Sequence, residues 1–442
     1  MAPISAAFYD FPSRRMRVLG VTGTEGKSTT VYLIWQLLTL LGKKAGFFST
    51  VQICFGGDVQ WNSEHQTTPE APVVQRLLCE MADNGCEYAV IEASSHGLSK
   101  KTNRLGDVEF CAAVLTNLTH EHLEFHGTWE QYRNDKANLF RALDNFVSSE
   151  ENYYFEPFGV INADDNSSKY FAKATKHKTY MFSAAGRKAD INLEAIDSSA
   201  WGNSYMVKAP ESSEQIDIRD RLPGAFNSRN VLAAILAVSG LLKLPVKFIA
   251  PYVKILTPVR GRMTTIDKGQ PFEVVVDYAH TPASFRTVLP PLRSRLNKTG
   301  GRIISVFGSA GERDIQKRAE QGKIAAWYSD IIIVTDEDPR GENPMDILEE
   351  IAKGVIAVNL PSDDNAGVPD LKKQRDFIRN ERLFLIPGRQ LAIRKALSLA
   401  RSGDLVILLG KGHENSIIHA DHAEPYDEIT EAENALGEIG YG

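Results

Sequence analysis

The stretch RVLGVTGTEGKSTTVYLIWQLLTLL, residues Arg17–Leu41, decides the fold. A short apolar run (Val18, Leu19, Val21) leads into a turn carrying Gly20, Gly23 and Gly26. Lys27-Ser28-Thr29 follows, and then apolar residues at helical spacing: Val31, Ile34, Trp35, Leu37, Leu38 and Leu41. This is the pattern of a strand, a glycine loop and a helix. Such a loop aims backbone N–H groups and a helix N-terminus at one spot, which suits phosphate. Lys27 adds a point charge for the β/γ-phosphates, and the Ser28 hydroxyl suits Mg²⁺. The stretch departs from GxxxxGK[ST] at its first glycine, where Val21 stands. The working expectation is a chain that binds a nucleoside triphosphate with magnesium.

Size and composition bound the rest. At 442 residues the chain is long enough for two or three domains. A hydrophobic content of 43% with 24% charged residues is that of an ordinary globular protein. A net charge of −6 argues against a general nucleic-acid binder, which would carry a basic stripe. Cys54, Cys79, Cys86 and Cys111 have no CxxC or Cys/His metal spacing and read as reduced thiols of a cytoplasmic protein. The first residues, MAPISAAFYDFPSRR, lack the apolar core of a signal peptide. No run approaches the ~18 apolar residues of a membrane span.

Outward from the opening stretch, strand and helix alternate. Ala45–Ile53 reads as one strand, Gly56–Thr68 as a polar loop and Pro69–Met81 as a helix. Tyr88–Ser94 and Cys111–Asn117 read as buried strands ending in polar residues, Trp129–Leu143 as a helix and Phe158–Asp165 as a strand. Asp190–Asp220 reads as a hairpin-rich insert, and a helix returns at about Ala225–Leu242. A boundary is expected near Pro258–Met263, after which the alternation restarts. The segment Pro361–Arg379 reads as a surface excursion. The rhythm predicts an α/β fold: a P-loop mononucleotide-binding central domain with a parallel sheet, then a Rossmann-like α/β domain. The expected division is an N-terminal segment 1–16, a central domain 17–260 and a C-terminal domain 261–442.

In open α/β sheets ligands sit beyond the carboxyl ends of strands. Glu92 closes an otherwise apolar strand and is placed like the acidic Mg²⁺ ligand of nucleotide hydrolases. The next strand end, TNLTHEHLEFHG, gathers His120, His122 and His126, of which His122 is the expected metal or phosphate contact. Lys136 shares a helical face with Tyr132, Leu139 and Phe140, and from the residues alone it reads as a snorkelling surface lysine. In the second half, DYAHTP (277–282), GSAGERD (308–314), DEDPR (336–340) and GKGHE (410–414) all follow apolar strands. They suit an anionic, amine-bearing small molecule, with Arg313 and Arg340 for carboxylates and Glu414 for an ammonium.

TGTEGKSTT, EASSHGL, TNLTHEHLEFHG with its following YxxxK, and GAFNSRN stand in the order found in one family. RGRM, DYAHTP, FGSAGERD, DEDPR and GKGHE continue that order through the second half. The chain thus resembles the Mur ligase family, most of all its MurE-type members, UDP-N-acetylmuramoyl-L-alanyl-D-glutamate–diamino-acid ligases. The family's loop also lacks the first glycine. The resemblance implies that Gly23, Thr24, Glu25, Gly26, Lys27, Ser28 and Thr29 hold the ATP phosphates, with Ser28 and Glu92 on a first Mg²⁺. It implies His122 on a second Mg²⁺, together with Lys136 carbamylated by CO₂, which reverses the surface reading of that lysine. Asn230 would face adenine, Arg262 the γ-phosphate and Asp277 the ribose. Thr67, Thr68, Ser94 and Arg104 would contact the UDP-muramoyl-dipeptide. Arg313, Asp338, Pro339, Arg340, Gly410 and Glu414 would recognise the diamino acid.

Two departures from the family pattern bear on substrate. Family members carry an N-terminal domain for the UDP moiety, whereas about sixteen residues precede the first strand here, so the expectation is a chain lacking that domain. The motif that reads DNPR in meso-diaminopimelate enzymes is Glu337-Asp338-Pro339-Arg340 here. Asp338 adds negative charge, which favours a plain ammonium as in L-lysine or L-ornithine. Arg313 and Arg340 favour a second carboxylate, and the balance leans to meso-diaminopimelate. The implied reaction activates the γ-glutamyl carboxylate as an acyl phosphate, which the amine then attacks; a monomer is expected. Two alternatives stay open: a ligase on another γ-glutamyl or peptide substrate, of folylpolyglutamate or muropeptide type, and a P-loop module that binds nucleotide without ligating anything.

Overall fold

In a computed structural model, residues 1–62, 66–119, 123–147, 155–199, 202–209, 215–357 and 382–442 are described. They fold as two compact units. One contains Met1–Ser198 and Gly202–Val259, the other Arg260–Gly442.

The first unit runs α1 (Ala2–Phe8), β1 (Arg17–Thr22), α2 (Lys27–Leu40), β2 (Ala45–Phe48), β3 (Gln52–Cys54), β4 (Val59–Trp61), α3 (Ala71–Asp83), β5 (Tyr88–Glu92) and α4 (Ser95–Leu98). It continues with β6 (Phe110–Leu115), α5 (Leu123–His126), α6 (Trp129–Ala142), β7 (Phe158–Asn162), α7 (Ser168–Ala172) and β8 (Lys178–Ser183). β9 (Ile191–Ser199), β10 (Gly202–Lys208), β11 (Gln215–Arg219), α8 (Asn227–Leu242) and α9 (Val246–Ile249) complete it. Its sheet has the order β11-β10-β9-β8-β7-β6-β1-β5-β2-β3-β4. β1 is parallel to β5 on one side and to β6 on the other. The chain therefore reverses direction across the sheet beside β1, and the carboxyl ends of β1, β5 and β6 form a switch point where ligands bind in such folds.

Both sheet faces are covered, which explains why β1, β5 and β6 read as nearly continuous apolar runs. Leu19 and Val21 of β1 pack in one cluster with Val31, Ile34 and Leu38 of α2 and Val231, Ile235 and Val238 of α8. Val18 points the other way, into a cluster with Leu77 and Leu78 of α3 and Tyr132, Leu139 and Phe140 of α6. The alternation follows from the period of two along a strand. α8 is apolar because it is a core helix. Among the described residues, no single helix is long and apolar enough to cross a membrane.

Three expectations for this unit are corrected. Ala45–Ile53 is two antiparallel strands, because the Ser49 hydroxyl accepts the N–H groups of Val51 and Gln52 and turns the chain. The polar loop after it contains β4, paired with β3. Residues 190–220 do contain a hairpin, β10 antiparallel to β11, but rather than an insert they extend the main sheet, since β9 runs parallel to β8.

The second unit runs β12 (Thr264–Ile266), β13 (Glu273–Asp277), α10 (Pro282–Thr299), β14 (Ile303–Phe307), α11 (Gln316–Tyr328), β15 (Ile331–Val334) and α12 (Pro344–Ile356). β16 (Leu383–Leu385), α13 (Arg389–Leu399), β17 (Leu405–Leu409), β18 (Ser416–Ile418), β19 (Ala423–Pro425) and α14 (Glu428–Glu438) follow. Its six-stranded sheet has the order β12-β13-β17-β14-β15-β16, parallel except for β12. The last parallel strand, β17, inserts between β13 and β14. The turns after β13, β14, β15 and β17 are thereby brought to one edge, and they carry DYAHTP, GSAGERD, DEDPR and GKGHE. The proposed surface excursion at 361–379 lies outside the described residues.

Candidate active site

The glycine loop occupies the switch point of the first unit. Gly26 caps α2 with φ +78°, and a Cβ there would stand 2.4 Å from Asn230 Oδ1. Gly23 has φ +151°, and its Cβ would fall 1.9 Å from Thr116 Oγ1. Both positions require glycine, for backbone conformation and for close approach. The loop is strung onto the end of β6. The Glu25 N–H donates to Asn117 Oδ1 (3.0 Å), while the Glu25 carbonyl accepts Thr116 Oγ1 (2.6 Å) and Asn117 Nδ2 (3.0 Å). Lys27 Nζ donates to Thr24 O (2.8 Å), folded back over the loop.

Glu92, 1% exposed at the end of β5, joins three segments. Its Oε2 accepts Ser28 Oγ and the Thr50 N–H, both at 2.8 Å, and its Oε1 lies 4.0 Å from Lys27 Nζ. A hydroxyl and a carboxylate oxygen side by side at a phosphate loop form a hard-oxygen donor pair, which fits Mg²⁺. Among the described residues, no group of three or more His, Cys, Asp and Glu side chains forms a metal cluster. His122 and His120 lie outside the described residues. His126 is buried, with Nδ1 2.8 Å from Asp135 Oδ2.

Lys136 is not a surface lysine. It is 2% exposed, its Nζ donates to Gly23 O (2.6 Å), and it lies 4.7 Å from the centre of the Tyr132 ring. The apolar stripe it shares with Tyr132, Leu139 and Phe140 faces the sheet rather than solvent. The Tyr132 hydroxyl is 3.0 Å from Thr24 Oγ1, so α6 contributes two side chains to the loop.

A cleft of about 210 Å³ opens beside this cluster. Lys27, Thr67, Thr68, Ser94, Arg104 and Lys136 line it, joined by Gln66, Ser95, His96 and Tyr132. Thr68 Oγ1 donates to Glu92 O and accepts the Ser94 N–H, each at 2.9 Å. Arg104 Nη1 donates to Thr68 O (2.8 Å), and its Nη2 stands 2.5 Å from Glu70 Oε1. Thr50 Oγ1 donates to Thr67 Oγ1 (2.9 Å), so Thr50 connects the Glu92 carboxylate to this wall. Asn230 braces the loop from α8, with Nδ2 donating to Asn227 Oδ1 (2.9 Å) and Oδ1 accepting Thr30 Oγ1 (3.4 Å). Glu25 and Thr29 are half-buried in the loop and at the first turn of α2.

In the second unit, Asp277 closes β13 and accepts the N–H groups of Met263 and Ala279, each at 2.8 Å. Burial pushes its carboxyl up from the usual range, and the Arg262 charge and these two N–H donors oppose that. The Arg262 guanidinium lies 4.4 Å over the Tyr278 ring. Burial, reinforced by Glu414, raises the Tyr278 phenol; its hydroxyl donates to Glu414 Oε1 (3.2 Å). Asp338, expected to add negative charge at the amino-acid pocket, is paired within the protein. Its Oδ1 accepts Lys411 Nζ (2.8 Å) and the Ile418 N–H (2.9 Å). Pro339 is buried beside it, and Arg340 takes φ +52°, with a buried Nε that has no hydrogen-bond partner. Gly410 follows β17 with φ +109°, facing Glu337, whose buried Oε2 is also without a partner. Arg313 is exposed on the loop after β14.

Models of two domains match this chain: the Mur ligase middle domain over residues 21–238, and the Mur ligase glutamate ligase domain over residues 261–412. The chain belongs to the Mur ligase family. A UDP-N-acetylmuramyl-tripeptide synthetase of Treponema denticola is 51% identical over 99% of this chain and 79% of its own length. A UDP-N-acetylmuramoyl-L-alanyl-D-glutamate–2,6-diaminopimelate ligase of Geobacillus kaustophilus is 35% identical over 100% of this chain and 83% of its own. Among solved structures, another ligase of that name superposes with a TM-score of 0.66 at 26% identity, covering 100% of this chain and 83% of the other. A Mycobacterium tuberculosis folylpolyglutamate synthase in complex with ADP gives a TM-score of 0.67 at 14% identity, covering 100% and 94%; that likeness shows the fold alone. As a Mur ligase of this group, the chain is an ATP-dependent ligase.

Thr50 is absent from the sequence reading, and Tyr132, Thr116, Asn117 and Lys411 stand inside quoted motifs without a role of their own. Tyr132 precedes Lys136 by one helical turn, and Thr116-Asn117 ends a buried strand, so both carried a usable signal. Thr50 carried none, because its role depends on a turn inside what reads as one strand.

Proposed function

We propose that this Mur ligase joins a diamino acid to the D-glutamate of UDP-N-acetylmuramoyl-L-Ala-D-Glu in peptidoglycan precursor synthesis, through an acyl phosphate. The observation that carries the reading is the cleft of the first unit, where Thr67, Thr68, Ser94 and Arg104 meet Lys27 and Lys136 at the phosphate loop. A carboxylate substrate held by Arg104 and the threonines lies next to the groups that hold the γ-phosphate.

The loop N–H groups and the α2 N-terminus orient the triphosphate, and Lys27 offsets charge on the transferring phosphoryl group. Ser28 and Glu92 would hold Mg²⁺, with Lys136 and His122 toward a second ion. Bound Mg²⁺ supplies Lewis-acid stabilisation of phosphate charge, and carbamylation of Lys136 would supply an anionic oxygen donor. The γ-glutamyl carboxylate oxygen attacks the γ-phosphorus and ADP leaves. The amine then attacks the acyl carbon, and phosphate leaves with the oxygen that came from glutamate. Asn230 is assigned to the adenine side, with Arg262 and Asp277 assigned to the γ-phosphate and ribose. Arg313, Arg340, Gly410 and Glu414 are assigned to the amino acid. Arg340, with its unpartnered guanidinium nitrogen, favours a substrate carboxylate there, and we assign meso-diaminopimelate ahead of L-lysine and L-ornithine.

Labelling the γ-glutamyl carboxylate with ¹⁸O tests the chemistry. One label appears in the released phosphate if the acyl phosphate forms. Unlabelled phosphate alongside amide product overturns this route.

A further inference from the structure

Lys411 is the second residue of GKGHE, and the reaction as assigned above gives it no task. It is 1% exposed, a burial typical of core side chains. A lysine is rarely buried unless its charge is paired. Its Nζ donates to Asp338 Oδ1 (2.8 Å) on the turn after β15 and to Glu414 Oε2 (2.6 Å) on its own turn. The two carboxylates it joins are 76 positions apart (414 − 338). Each keeps a second partner: Asp338 Oδ1 also takes the Ile418 N–H (2.9 Å), and Glu414 Oε1 takes the Tyr278 hydroxyl (3.2 Å). Other charged groups around this cluster are Arg262, stacked on Tyr278, and Glu337, buried beside Gly410.

We infer that Lys411 is a positioning residue for the incoming amino acid, and that Asp338 acts as its internal counterion rather than as the contact for a substrate ammonium. The inference rests on the placement of the amino acid at this edge of the second unit. One buried cation between two carboxylates leaves one negative charge in surplus. Glu414 carries that surplus, being the more exposed of the two, with 32% of its side chain exposed against 9% for Asp338. Asp338 serves to fix the ammonium of Lys411, and Lys411 in turn fixes the Glu414 carboxylate at the mouth. The charge that separates Asp338 from an asparagine is thereby absorbed within the protein.

The experiment is steady-state kinetics of the whole chain with ATP, UDP-muramoyl-dipeptide and each of meso-diaminopimelate, L-lysine and L-ornithine. Lys411→Met strands two carboxylates and is expected to raise KM for the amino acid about tenfold or more, with KM for ATP within about twofold. Adding Asp338→Asn to it removes one of the two stranded charges and is expected to recover part of that loss, as coupled partners do in a double-mutant cycle. Lys411→Arg keeps the charge and is expected to lie between. An unchanged amino-acid KM in Lys411→Met, or equal losses in the single and double variants, overturns the inference. Should Lys411→Met fail to fold, Asp338→Asn alone decides. An internal counterion leaves the amino-acid KM within about threefold, whereas a direct ammonium contact costs about tenfold or more. If the wild-type chain turns over none of the three amino acids, it is the proposed reaction that fails, not the role of Lys411.

Discussion

Lys136 Nζ donates to the carbonyl oxygen of Gly23 across 2.6 Å, joining residues 113 positions apart. The bond fixes the centre of α6 to the glycine loop at the end of β1. Substituting Lys136 by alanine is expected to lower kcat about a hundredfold or more while nucleotide affinity stays within about threefold, because the loop N–H groups and Lys27 remain. Turnover and ATP affinity measured on the same variant check this. A chain that binds nucleotide without ligating would show no change in either function.

The loop conformation is set by sterics as much as by chemistry. At Gly26, φ +78° and the approach of Asn230 Oδ1 leave no room for a Cβ. Gly26→Ala is expected to cost about 1–3 kcal/mol of stability and to weaken ATP binding. Urea unfolding with and without ATP reads both effects.

Arg104 binds its own wall through Thr68 O and Glu70. Arg104→Ala is expected to raise KM for the UDP-muramoyl-dipeptide about tenfold, with KM for ATP unchanged. A parallel rise in both constants would show a general distortion of the cleft instead.

The pH dependence of stability has a specific contributor in the second unit. Arg318, together with the Glu312 N–H, holds the Glu342 carboxyl at about 2, below its ordinary 4.5. A depressed carboxyl stabilises the fold above its unfolded pKa, and this is lost as pH falls through its folded one. Glu342→Gln is therefore expected to be less stable than wild type at neutral pH, with the difference shrinking between pH 4.5 and about 2. Thermal unfolding across that range measures it.

Much of this architecture was legible because the two sheets bury both faces. Continuous apolar runs such as Tyr88–Glu92 and Leu405–Leu409 announce strands, and their polar carboxyl ends announce where chemistry collects. The short elements were less legible, since β3 begins at a side-chain turn made by Ser49 and β4 is three residues long, too short to show a period. The fate of charged side chains was least legible. Lys136 reads as solvent-facing by local pattern, yet it is buried against a partner distant in sequence, and the charge of Asp338 meets a lysine 73 positions on (411 − 338). Helical and strand periods tell which face a residue shares, and only tertiary pairing tells what its charge meets.

The central claim is that the phosphate loop and the cleft beside it serve one amide-forming reaction. Phosphate release from ATP, measured with UDP-N-acetylmuramoyl-L-Ala-D-Glu present and each of meso-diaminopimelate, L-lysine and L-ornithine added in turn, tests it most directly. The account predicts release that depends on both the dipeptide and one of these amino acids, in step with formation of the amide product. No amino-acid-dependent release with any of the three would contradict it.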